Sequence, residues 1–240
     1  MSAQWDSLVA QLLATDTAVL PSSMAAYVGL RMGWSVVLAW LGVLVIARWW
    51  PAAPGHKKRL RVVALLAVVS AWLPGPYGSA YWLGLVFQAP STLAVLLCAG
   101  LLWRQLRPLT GGIAVGGLGT GGADRAALAW VAMGVLLGWV LLLDSFALLP
   151  VQVYACGFSP ITAGLVLLAL LLPWVCAAAP AFAVNRWFGL CAAVVCLLVF
   201  VIWRLPTGNV WDAVLDPLLW LALHGYLLRA VLLRKRVGVY

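Results

Sequence analysis

The sequence predicts an all-α, polytopic transmembrane helix bundle of about seven spans, with the N-terminus outside and the C-terminus cytoplasmic. Three observations predict it. Of 240 residues, 65% are hydrophobic and only 9% charged, with a mean hydropathy of +1.07; an ordinary soluble domain carries roughly 25% charged residues. The apolar stretches run on without alternation for the ~20 residues that a helix needs to cross a hydrocarbon core. The basic residues gather on one side of those stretches.

Within lipid the backbone must be hydrogen-bonded inside the segment, which leaves helices or closed barrels, and continuous apolar runs favour helices. The spans fall at about 24–47, 60–76, 80–103, 126–149, 160–180, 187–203 and 212–233. The domain plan is an outer-surface segment over 1–23, one seven-helix domain over 24–236, and a tail over 237–240. Only the loops at 48–59 and 104–125 are long.

Each segment has its own signal. In the first, Trp5, Leu8, Val9, Leu12 and Leu13 recur at helical spacing with Asp6, Ser7 and Gln11 elsewhere on the wheel. That pattern predicts a short amphipathic helix on the outer membrane surface, separated from span 1 by Pro21. The first residues lack a basic region, so no cleavable signal is expected. Gly29-x-x-x-Gly33 and Gly134-x-x-x-Gly138 predict close helix approach in spans 1 and 4. Residues 110–122 are Gly-rich and predict a flexible loop.

Orientation follows from Lys and Arg. Arg48, Lys57, Lys58, Arg59, Arg61, Arg104, Arg107, Arg125, Arg186, Arg229, Arg234, Lys235 and Arg236 fall on one side; Arg31 and Arg204 fall on the other. Asp6, Asp16, Asp144, Asp212 and Asp216 lie toward the outer face and Asp124 toward the inner. Trp49, Trp50, Trp103, Trp130 and Trp187 mark inner helix ends, and Trp72, Trp82, Trp203 and Trp211 outer ends, as amphipathic rings at two headgroup belts should. The net charge of +9 therefore belongs to cytoplasmic loops rather than to a nucleic-acid surface. The expected partners are the lipid bilayer and other membrane subunits, and the expected location is a bacterial inner membrane.

Polar residues inside spans are the candidate site residues. Asp212, Asp216, Trp220 and His224 recur every four positions and form a slanted stripe if span 7 is one helix. That stripe would be an ion or proton path from the outer Asp pair to His224 near the bilayer middle, or simply a hydrogen-bonded His with two headgroup carboxylates. Arg31 is placed to pair with Asp144 or Asp216, or to snorkel outward alone. Gln88 and Pro90 interrupt span 3, so 74–89 is either a re-entrant segment or an interfacial turn before a kinked helix. Pro21, Pro90, Pro160 and Pro217 recur beside similar strings such as Leu20-Pro21-Ser22-Ser23 and Ala89-Pro90-Ser91-Thr92. This is an internal repeat or, more simply, the preference of Pro for the first turn of a helix.

Several chemistries fall away. Five Cys without a C-x-x-C pair give neither a disulfide framework nor a zinc site. Gly117-x-Gly119-x-x-Gly122 follows no strand, and the Gly-rich loop has no Lys for a phosphate. The microbial rhodopsins share the helix count, but their Schiff base requires a Lys in the last helix; here Trp220 stands four residues after Asp216, and no family is assigned. No catalytic residue, cofactor or metal is expected. The sequence favours a non-catalytic accessory or scaffold component of a membrane assembly. The alternatives are a small transporter of protons, ions or a solute using Asp212, Asp216, His224, Arg31 and Gln88, and a membrane enzyme on a lipid-linked substrate with Asp144, Asp212 and Asp216 around a divalent cation.

Overall fold

The chain begins its first described helix where sequence and capping chemistry agree. The structure, a computed structural model, describes residues 19–50, 55–106, 125–176 and 183–237. The amphipathic segment at 4–20, the Gly-rich stretch at 110–122 and the end of the tail lie largely or wholly outside them. Among the described residues the protein is helical and holds no strand. The helices are α1 (Ser23–Trp49), α2 (His56–Trp72), α3 (Ser79–Phe87), α4 (Thr92–Leu106), α5 (Arg125–Ser145), α6 (Val153–Cys156), α7 (Pro160–Cys176), α8 (Ala183–Trp203), α9 (Val210–Val214) and α10 (Pro217–Val237). By length and composition α1 is the one described helix long and apolar enough to cross a membrane.

The recurrent Pro-Ser strings mark helix starts. After Pro21, the Ser22 hydroxyl accepts the Ala25 N–H at 3.2 Å and caps α1. After Pro90, the Ser91 hydroxyl accepts the Ala94 N–H at 3.2 Å and caps α4. Each satisfies one of the donors that a helix N-terminus leaves without an internal acceptor. Pro160 and Pro217 are the first residues of α7 and α10, where a missing N–H costs nothing.

Two spans expected to be single helices are divided. The stretch 80–103 is α3 and α4, separated at Gln88–Ser91. The stretch 212–233 is the end of α9, an extended Leu215 (φ −139°, ψ 125°) with Asp216, and then α10. The physical cause is shared. Pro lacks the N–H that a continuing helix needs, and its ring drives the preceding residue out of the α region. The four-step stripe from Asp212 to His224 is therefore not one helical face. Asp212 is on α9, Asp216 is in the linker, and only Trp220 and His224 share α10.

Contacts divide the chain into two compact units, one from Met1–Arg107 and Ala155–Asp216, the other from Pro108–Tyr154 and Pro217–Tyr240. In the first, α1 packs along α2 and α4, and α8 packs against α4, α7 and α9. Ala39 and Val43 of α1 are buried with Leu60 and Ala64 of α2, closed over by Leu102 and Leu106 of α4. Val166 of α7, Cys196 and Phe200 of α8, and Val210 and Ala213 of α9 form another buried cluster. In the second unit α5 packs against α10.

The glycine motifs seat bulky side chains rather than bare backbone. A Cβ on Gly29 or Gly33 would meet Leu205 at 2.9 Å or Pro90 at 2.8 Å. In the second unit, Gly134 receives Leu223 and Gly138 receives the Trp220 ring. Close small-residue packing of this kind gains dispersion contacts that do not depend on water.

Gly138→Ala should therefore lower the detergent melting temperature, since forcing a methyl into the Trp220 ring costs about 1–3 kcal/mol. Gly164 of α7 has nothing within 4 Å of a built Cβ. Gly164→Ala should instead stabilise by up to about 1 kcal/mol through helix propensity.

Candidate functional site

Among the described residues, the first unit buries five polar or charged residues: Arg31, Ser35, Ser91, Asn209 and Asp216. Removing such groups from water is costly unless hydrogen bonds replace it, and here named bonds do so. On α1, Arg31 is 7% exposed. Its guanidinium donates to the carbonyls of Ala71 (3.1 Å) and Leu73 (2.9 Å) at the end of α2 and lies 4.7 Å from the centre of the Tyr27 ring. A cation there meets the negative end of the α2 dipole. Of the two readings the sequence left open, pairing with Asp144 or Asp216 or snorkelling outward, neither named these carbonyls, because acceptors at a helix end are not revealed by spacing along the sequence. Ser35 donates back to the Arg31 carbonyl at 2.7 Å.

One turn along α1, Trp34 is 2% exposed and donates its indole N–H to the Gln88 carbonyl at 2.8 Å. Gln88 has φ 62° and ψ −151°, a region that a side chain normally leaves to Gly. Its side chain is exposed; its backbone carbonyl is the part engaged. The Gln88 N–H still bonds Gly84 at 3.1 Å. α3 thus ends in a strained turn fixed by a tryptophan from another helix.

Asp216 enters at the same break. It is 8% exposed, and its carboxylate accepts the Ser91 N–H at 2.6 Å. The negative charge sits at the N-terminal end of α4, where the helix dipole favours an anion. Asp212 is held separately by the Thr207 hydroxyl. Beside it, Asn209 is fully buried, its side-chain oxygen accepting the Trp211 N–H at 2.9 Å and its carboxamide abutting Gly157. Val210 N–H bonds the Gly157 carbonyl at 3.0 Å. Arg204, at φ 55°, lies over the Phe200 ring, and desolvation lowers its guanidinium from the usual value.

In the second unit, Asp144 accepts the Tyr154 N–H at 2.7 Å and so closes the turn after α5. His224 is held on both ring nitrogens. Trp139 donates its indole N–H to Nε2 at 3.2 Å, and Nδ1 lies 2.9 Å from the Trp220 carbonyl. An indole nitrogen only donates, so Nε2 accepts and Nδ1 carries the hydrogen. Trp220 donates to the Val135 carbonyl at 3.0 Å, and its ring stands edge-on to those of Trp139 and His224.

The structure therefore brings Arg31, Gln88 and Asp216 to one junction of α1 with the end of α2 and the α3–α4 break. It leaves Asp212 in the neighbouring turn, and Asp144 and His224 in the other unit. Trp34, Ser91, Asn209 and Trp139 are hydrogen-bonding neighbours that the sequence did not single out as site residues. Ser91 had a visible signal in its Pro-Ser string; Trp139 had one in following Gly138. Among the described residues no three His, Cys, Asp or Glu side chains gather into a possible metal site. Compared with protein-family models, curated proteins and solved structures, the chain matches none.

Gln88→Gly should stabilise the protein by about 1 kcal/mol or more by relieving the positive-φ turn. Trp34→Phe should destabilise it by about 1–3 kcal/mol, since the Gln88 carbonyl loses its donor. Thermal unfolding in detergent reads both, and opposite signs are the expected result.

Proposed function

We propose that this chain is a polytopic inner-membrane protein of about seven spans acting as a non-catalytic scaffold or accessory component of a membrane assembly. Its membrane setting is supported by inverted polarity. Large apolar side chains point outward along most helices, among them Leu66 of α2, Val86 of α3, Leu136 of α5, Ile161 of α7 and Leu228 of α10. Arg31, Asp216 and Asn209 are instead buried. Exposed apolar area on this scale suits lipid, not water. The placement of thirteen of fifteen basic residues supports a cytoplasmic C-terminus.

The observation that carries the scaffold reading is how the ionisable candidates are used. Arg31, Asp144 and Asp216 each bond a backbone group, and His224 bridges Trp139 and the Trp220 carbonyl. Groups spent in this way brace helices against one another. One feature favours transport as a second reading. A broken helix with a carboxylate at the break is the kind of element that transporters place at a midplane site, and Gln88–Ser91 with Asp216 has that form.

Reporter fusions after residues 50 and 237 should read cytoplasmic, and one at 206 should read external. Proteoliposomes carrying the wild type should show proton flux equal to empty vesicles, as should Asp216→Asn and His224→Ala. A flux above empty vesicles that Asp216→Asn abolishes would replace the scaffold with the transporter.

A further inference from the structure

α1 and α2 are unequal candidates for crossing a membrane. α1 has 27 residues and passes by length and composition. α2 has 17 residues, and His56, Lys57, Lys58, Arg59 and Arg61 occupy its first two turns. Its uncharged run covers 62–72, roughly 17 Å of helix at about 1.5 Å per residue, against a hydrocarbon core of about 30 Å. A run of that length is a weak insertion signal by itself.

The end of α2 is the harder part to bury. A helix leaves its last carbonyls without internal donors, and the chain that follows commonly turns back to supply them. Here Leu73 leaves α2 in an extended conformation (φ −59°, ψ 142°). Pro74 and Pro76 have no N–H to give, and the Gly78 N–H goes to the Gly75 carbonyl. The donors come from α1 instead, where Arg31 gives one nitrogen, Nη1, to both the Ala71 and the Leu73 carbonyls. The dependence is mutual. In hydrocarbon the Arg31 cation is costly without those acceptors, and the acceptors are costly without a donor. Elsewhere the two helices pack closely: Gly42 seats Val63, and Ala39 and Val43 are buried with Leu60 and Ala64.

We propose that α1 and α2 enter the membrane as one hairpin clamped by Arg31, and that α2 does not keep its transmembrane position without the clamp. α2 is short and uncapped by its own chain, and α1 carries a cation among apolar residues; joined, each removes the other's defect. The inference rests on the topology proposed above and goes beyond it by naming the contact on which one span depends.

Cysteine labelling of the full chain in right-side-out membrane vesicles tests it. Tyr77→Cys, at an exposed position in the turn after α2, is the reporter. Cys156→Ser removes the exposed native thiol, and the chain with that change alone is the blank. A membrane-impermeant maleimide should label position 77. Adding Arg31→Leu makes α1 more apolar, yet it should lower the labelled fraction at least about fivefold, the weight of a carbonyl left without its donor. Arg31→Lys keeps a donor on a long stem and should recover much of the labelling. Trp34→Phe, one turn along α1, should weaken the fold and leave the labelling unchanged.

Undiminished labelling with Arg31→Leu would overturn the clamp. An equal loss with Trp34→Phe would reduce the effect to general instability and overturn it too. A loss that Arg31→Lys does not recover would overturn the hydrogen-bonded form of the clamp. Failure to label position 77 while Arg31 is intact would be a different result: it would overturn the proposed topology, and the clamp with it.

Discussion

The bond from the Ser91 N–H to the Asp216 carboxylate joins positions 125 residues apart and is 2.6 Å long. Much of the first unit is arranged around it. A nearly buried carboxylate is costly unless its charge is met, and here a helix N-terminus meets it. That requirement explains why α4 must begin at this point. It also explains why the chain leaves α9 in an extended linker rather than continuing as a helix, for a helical Asp216 would carry its carboxylate along the α9–α10 axis instead. From this bond the contacts pass outward without interruption. Pro90 seats on Gly33, Trp34 fixes the Gln88 carbonyl, and Arg31 ties α1 to the end of α2. The break in the third apolar stretch is thus a joint at which α1 and the Asp216 linker are held, and its strained backbone is one of the contacts that holds it.

The same logic shows what the sequence made legible. Helical class and the helix starts at Pro21, Pro90, Pro160 and Pro217 follow from local rules, whereas the side chains seated on the two G-x-x-x-G pairs come from distant segments. Gln88, Arg31 and Asp216 were visible as polar residues in apolar surroundings. Their partners were not, because each partner is a backbone group from a distant segment: the carbonyls of Ala71 and Leu73, and the N–H of Ser91. Side-chain spacing carries no information on backbone acceptors freed at a helix end. The Asp212–His224 stripe failed for a related reason. It assumed a continuous helix through Asp216-Pro217, where the proline preference for a first turn and the carboxylate's need for a donor both favour a break.

His224, a candidate for proton chemistry, is engaged at both ring nitrogens. A histidine with one free nitrogen can exchange a proton with little rearrangement. Here Nε2 accepts from Trp139 and Nδ1 donates to the Trp220 carbonyl, so both nitrogens are engaged. The Trp220 ring, seated on Gly138 and bonded to the Val135 carbonyl, closes the same contact from the other side. The cluster therefore links α5 to α10 with both ring nitrogens of His224 in use.

α2 meets cations at both ends, from α1 at its C-terminus and from its own residues at its N-terminus. At its C-terminus Arg31 of α1 supplies a positive charge where the dipole is negative, a favourable arrangement worth about 0.3–1 kcal/mol at an exposed site and up to about 2 kcal/mol when partly buried. At its N-terminus Lys57, Lys58, Arg59 and Arg61 crowd the positive end, and by the same rule each is unfavourable to the isolated helix. Folding alone gives no reason to keep four cations there. In the proposed topology, retention of Lys and Arg on the cytoplasmic side during insertion gives one. The C-terminal cation serves the fold, while the N-terminal cations fit the proposed topology.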